Sequence, residues 1–203
     1  MLFHSTRGKD SDKDFASILM QGLAEDGGLF MSDYWPQVDL EEIKSSKSFI
    51  DIAKCIVPLF TSSSFSYDET ISIVESTWHD FEHQDLIGIK EFDSVAILEL
   101  FHGPTAAFKD FGLQLAAAFF NQVLESENKT AIVLGATSGD TGSAAIDACK
   151  NYDRIKSFIM LPNGNMSEVQ RRQMSTIKAP NVFALRINGT FDDCQDLVKL
   201  AFK

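Results

Sequence analysis

Positive charge is scarce in this chain. Its 203 residues hold 18 Lys and Arg against 29 Asp and Glu, a net charge of −11. With no basic stripe to neutralise phosphates, nucleic acid is excluded as a partner. An anionic small molecule would have to be drawn in by local groups, against the overall field. Long apolar runs are missing as well. None approaches the ~18 residues of a membrane span, and the first ten residues, MLFHSTRGKD, hold no apolar h-region of a secretory signal. The expectation is a cytoplasmic protein with no membrane partner. Cysteine is rare: Cys55, Cys149 and Cys194 are far apart, which fits reduced, mostly buried thiols better than a disulfide frame or a zinc site. There is no internal repeat of fixed period and no low-complexity tract.

What is present is the composition of a globular domain, 44% hydrophobic and 23% charged, long enough for one sizeable core or for a small domain plus a larger one. Its character changes near residue 90. Before that point helical periodicity prevails: 12–24 carries Phe15, Ile18, Leu19 and Leu23 on one face, and 39–60 and 68–82 give two more amphipathic helices. After it, strand, turn and helix alternate. Strands are expected at 95–101, 129–134, 155–161 and 181–187, and helices at 109–124, 143–150, 167–177 and 192–202. That alternation implies parallel strands with crossover helices. The expected fold is α/β: a small, mainly helical N-terminal domain over 1–85, then a partial doubly wound parallel sheet over 86–203. The apolar helix running to Lys203 has no stop signal, so the chain reads as the N-terminal part of a longer enzyme.

Two loops carry candidate chemistry. Lys109 stands where an apolar strand gives way to an apolar helix. Desolvation and the positive end of a helix both disfavour an ammonium, and a lysine so treated serves as an imine-forming nucleophile and proton carrier. Ala106 and Ala107 leave room beside it, and Phe108 and Phe111 offer dry surface. On local composition alone an ordinary solvated lysine remains open. The second loop, Thr137, Ser138, Gly139, Asp140, Thr141 and Gly142, lies where the next strand hands over to a helix. Its glycines permit tight backbone, and its hydroxyls and free N–H groups suit a carboxylate or phosphate. Asp140 would repel an anion and is expected to face a cationic or hydroxyl group. A plain capped βα turn stays open here too.

These residues carry a family resemblance. The segments ELFHGPTAAFKDFG (99–112) and ATSGDTG (136–142) resemble the lysine segment and the substrate loop of threonine synthases. Further likeness lies in STRG (5–8), GGLF (27–30), LPNGNMSEVQ (161–170) and INGTFDDCQ (187–195), in the family's order. The resemblance implies a fold-type II enzyme that uses pyridoxal 5'-phosphate. It implies conversion of O-phospho-L-homoserine and water to L-threonine and phosphate. Lys109 would hold the cofactor as an aldimine and shuttle protons. Asp140 would lie near the cofactor's phenolic oxygen. Thr137, Ser138, Gly139 and Thr141 would grip the substrate carboxylate. Ala106 departs from the bulkier apolar residue usual in relatives. The family's cofactor-phosphate loop and its pyridine-nitrogen partner do not occur before Lys203, so this piece alone is expected to be weak or inert. Two other readings remain: a related phospholyase giving a keto acid, and a non-catalytic binding or assembly fragment.

Other features read as structure. His79 and His83 have the i, i+4 spacing of one helix face but lack a third metal ligand. Glu41, Glu42, Asp192 and Asp193 suit helix N-termini. Arg171 and Arg172 fit a solvated helix face better than a phosphate contact, and Phe119 and Phe120 fit a core. His102 is as well suited to packing as to the site.

Overall fold

The computed structural model describes residues 1–164 and 166–202. Asn165, within one of the family-like segments, and Lys203, at the apolar helix end, lie outside the described residues. The chain divides into two compact units, Met1–His79 and Asp80–Lys203.

In the first unit, strand β1 (Phe3–Ser5) pairs antiparallel with β2 (Phe30–Ser32). Between them runs α1 (Phe15–Gln21), capped by the Asp14 carboxylate, which accepts from Ser17 N, and stopped by Gly22 at φ 75°. That helix is shorter than the expected 12–24, because the glycine takes a left-handed conformation that other residues disfavour. The expected helix 39–60 is two helices, α2 (Leu40–Ser45) and α3 (Phe49–Thr61). Ser48 separates them by taking extended backbone and accepting from Asp51 N, a local bond that competes with continuing the helix. A capping box between Ser66 and Glu69 starts α4 (Tyr67–Thr77). The core joins Phe15 to Phe3 and Phe65, Phe49 to Trp78, and the buried Thr61 hydroxyl to that of Thr70 at 2.9 Å. Because α4 ends at Thr77, His79 and His83 do not share a helix face. The expected spacing therefore gives no paired ligands.

Two family-like segments meet in this unit. The Ser5 hydroxyl donates to Asp26 Oδ1 at 2.6 Å and accepts from Arg7 N, while Gly28 N also donates to Asp26 Oδ1. A Cβ on Gly28 would stand 2.1 Å from Ser5 Oγ, so the hydrogen-bonded meeting of Ser5, Asp26 and Gly28 leaves no room for a side chain there.

The second unit begins with a hairpin. β3 (Gly88–Phe92) pairs antiparallel with β4 (Val95–Glu99) through a two-residue turn in which Asp93 has φ 47°. This corrects the expectation for 95–101. Its segment is a strand, but it is not a member of the parallel sheet, and its residues are mostly exposed where a central parallel strand is covered on both faces. The parallel sheet has three strands in the order β5 (Ala131–Ala136), β6 (Ile155–Pro162), β7 (Val182–Ile187). Around it lie α5 (Lys109–Ser126), α6 (Asp140–Cys149), α7 (Glu168–Ser175) and α8 (Phe191–Ala201). Phe119 and Leu124 of α5, Ile146 of α6, Ile155 and Ile159 of β6 and Cys194 of α8 are its buried core. Such burial of about 25 cal/mol per Å² of apolar surface is what holds the helices against the sheet. The unit is thus a partial α/β fold.

Asp192 and Asp193 lie in the first turn of α8, where Thr190 and Asp193 form a second capping box. Arg171 and Arg172 both pair with Glu168 on α7, so their guanidiniums are engaged along their own helix. Phe119 is fully buried and Phe120 partly so. All three cysteines are free thiols, with Cys149 and Cys194 buried and Cys55 half-buried.

Candidate active site

The site is built where two loops of the second unit meet. The first leads into α5, whose opening residue is Lys109 and whose cap, Phe108, supplies no side-chain bond. The second follows the C-terminal end of β5 and opens α6 at Asp140. Lys109 Nζ donates to Asp140 Oδ2 at 3.0 Å and lies 4.2 Å from the centre of the Phe108 ring. The Lys109 hydrogen bond holds the Asp140 carboxyl below the usual carboxylate range. An acid at the first turn of α6 also faces the positive end of that helix.

The lysine is largely covered and its amine has a charged partner. Lys109 is 24% exposed and ion-paired, Phe108 is exposed, and Phe111 is turned edge-on to Phe81. Asp140 is the group its amine reaches. Ala106 is exposed at φ 55°, while Ala107 is buried.

In the second loop the residues divide by task. Ser138 and Thr141 are exposed, and their hydroxyls stand at the N-terminus of α6. Thr137 is buried, and its hydroxyl donates to Gly139 O and accepts from Gly139 N and Gly142 N. That hydroxyl therefore closes the turn and faces no open space. Gly142 is packed against it, since a Cβ there would stand 2.2 Å from Thr137 Cγ2. His102 does not join Lys109 and Asp140: its ring bonds Glu99 Oε2 and lies 4.6 Å from the ring of His83.

Sequence reasoning passed over the residue next to the lysine. Asp110 is fully buried and accepts from Thr105 N at 2.9 Å and from Thr105 Oγ1 at 2.6 Å. The signal available was an acid in the first turn of a helix with a glycine and a threonine just upstream. That pattern also describes many ordinary helix starts.

Fold and site define a class first: an α/β chain with an amine–carboxylate pair and a hydroxyl-lined helix start beyond the carboxyl end of a parallel strand, where such sheets bind ligands. Residues 2–78 match the family described as "Threonine synthase N terminus". Threonine synthase of Pseudomonas aeruginosa is 42% identical over 205 residues, covering 100% of this chain and 44% of the relative. That of Schizosaccharomyces pombe is 41% identical, with 98% of this chain and 41% of the relative covered. Among solved structures, PLP-bound threonine synthase from Brucella melitensis superposes with a TM-score of 0.93 at 41% identity, over 100% of this chain and 44% of that one. Over its whole length the chain is similar to the N-terminal part of threonine synthases, and it spans less than half the length of these relatives.

Proposed function

We propose that this chain supplies the lysine-bearing part of a cytoplasmic threonine synthase, which converts O-phospho-L-homoserine and water to L-threonine and phosphate with pyridoxal 5'-phosphate. The observation that carries the reading is the meeting of Lys109 and Asp140 at 3.0 Å, from loops 31 residues apart. The residues present fit an aldehyde cofactor. A half-exposed carboxylate adjoins a reachable amine, and neighbouring hydroxyls lie at a helix start. Bound there, pyridoxal phosphate supplies a sink for the negative charge made at the substrate's α-carbon.

The chain's own groups then have separate tasks. Lys109 Nζ anchors the cofactor and carries protons to and from the substrate carbons. Asp140, ionised by its lysine partner, holds that amine in place and accepts a hydrogen bond from a donor on the ligand. Ser138 and Thr141, with the free N–H groups of α6, bind the substrate carboxylate. Thr137 and Gly142 keep the loop in the shape that presents them.

Incubation with pyridoxal phosphate, borohydride reduction and peptide mapping tests the reading. The expected result is a phosphopyridoxyl mass on the peptide bearing Lys109, lost in Lys109→Ala. Labelling spread over surface lysines, with Lys109 spared, overturns it. Threonine formation by the 203-residue chain is expected to be weak or nil. Release of 2-oxobutanoate and ammonia would move the assignment to a phospholyase.

A further inference from the structure

The loop that delivers Lys109 contains a strained residue and a buried clamp around it. Ala106 has φ 55°, a left-handed conformation that an L side chain rarely adopts. The N–H groups on either side of it belong to Thr105 and Ala107. Both point to the same acceptor, Asp110 Oδ2, at 2.9 Å and 3.5 Å. The other oxygen, Oδ1, takes the Thr105 hydroxyl at 2.6 Å. The Asp110 side chain has no solvent exposure. Gly103 closes the turn by accepting from Ala106 N at 3.0 Å, and a Cβ on that glycine would fall 2.5 Å from Asp110 Oδ2. A second anchor comes from α7, where Gln173 Nε2 donates to Thr105 O at 2.8 Å.

An acid placed only to complement a helix dipole stays at the surface and needs no such partners. Here the carboxylate reaches back over the turn and brackets the one left-handed residue of the loop. Strained backbone persists where its surroundings over-determine it, and Asp110 is the group that does so. Two residues downstream of the bracketed turn the chain enters α5 at Lys109.

We propose that Asp110 is a positioning residue, whose buried carboxylate locks the left-handed turn at Ala106 and thereby fixes Lys109 Nζ against Asp140. The inference deepens the reading of Lys109 as the cofactor-bearing residue, but its test needs no cofactor. A failure of borohydride trapping in the unaltered chain would remove that reading and leave this one standing.

The test is competitive acetylation of the whole chain with trace acetic anhydride. Mass spectrometry reads Lys109 against the exposed reference lysines Lys44 and Lys199. Asp110→Asn leaves a single acceptor oxygen where three donors converge on the carboxylate. Freed from its place, Lys109 is expected to gain reactivity relative to the references by about 2–5-fold, the equivalent of a part-exposed ion pair. Asp140 should titrate at higher pH in the same variant, by carbon NMR. Adding Ala106→Gly, which removes the left-handed penalty, should return part of the change. A purely structural role would lower the melting temperature and leave both the relative reactivity and the Asp140 titration where they were, and that result overturns the proposal. Should Asp110→Asn fail to fold, Thr105→Val decides. It removes only the bond to Oδ1 and is expected to shift Lys109 reactivity in the same direction; no shift there also overturns the proposal.

Discussion

Lys109 and Asp140 open two different helices, and each is the other's partner across 3.0 Å. The amine is the main reason that the carboxyl stays ionised to lower pH than usual. Lys109→Met should therefore let Asp140 titrate nearer its ordinary value. Carbon NMR on the labelled side chain measures this directly, and an unmoved titration would mean that the pair does not form in solution.

The two glycines of the second loop are predicted to behave differently. Gly142 has no room for a Cβ beside Thr137, so Gly142→Ala should cost ~1–3 kcal/mol, as overpacking does. Gly139 has a negative φ and nothing closer than 3.5 Å to its missing Cβ. Gly139→Ala should stay within ~0.5 kcal/mol, like an ordinary surface change. Urea unfolding compares the pair; equal losses would contradict the geometry.

Acid should weaken the first unit. Hydrogen bonds hold four of its carboxyls below the usual range: Asp26 chiefly by the Ser5 hydroxyl, Asp10 by the Gln21 amide, Asp51 by Ser48 and Glu69 by Ser66. A depressed folded value adds stability that is complete above the unfolded value of about 4 and is lost as pH falls through the folded one. The urea midpoint should thus be flat from neutral pH to about 5 and drop steeply below about 4. Asp26→Asn should lower the midpoint at neutral pH and flatten the drop. An unchanged slope in that variant would count against Asp26 as a contributor.

Asn181 seals the far end of α6. Its amide nitrogen donates to Cys149 O, Tyr152 O and Ile155 O. Cys149 O and Tyr152 O keep backbone donors in Tyr152 N and Ile155 N, so Asn181→Ala removes the side-chain bonds alone, for a loss of about 1 kcal/mol. Burial pushes the nearby Cys149 thiol up to about 11. Iodoacetamide at pH 8 should spare Cys149 in the folded chain and label it faster in Asn181→Ala; prompt labelling of the unaltered chain would refute the closed arrangement.

Much of this was legible in the sequence because the signals were local and strong. The apolar runs at β5, β6 and β7, each followed by a turn and a helix, read directly as a parallel α/β unit. Lys109 and the 137–142 loop stood out by residue type and by order along the chain. What was missed depended on partners. The run Gly88–Phe92 mixes charge with apolar residues, so β3 lacked a clean period, and Asp93 with Ser94 was the one local hint of a turn. The division of α2 from α3 hung on a single serine cap. The bonds of the Thr137 hydroxyl within its own turn were not visible, because a hydroxyl's direction cannot be read from its neighbours in sequence. For the same reason the bonds from Thr105 to the Asp110 carboxylate could not be read from the sequence.

The hairpin has one more consequence. Ile89 and Leu98 line one side of the β3–β4 ribbon, Phe92, Val95 and Ile97 the other, and each is more than half uncovered. A ribbon greasy on both sides cannot hide either one by folding onto a single neighbour. Kept by itself at high concentration, this polypeptide should cluster reversibly through that ribbon, and a charged residue in place of Ile97 should make it better behaved in solution.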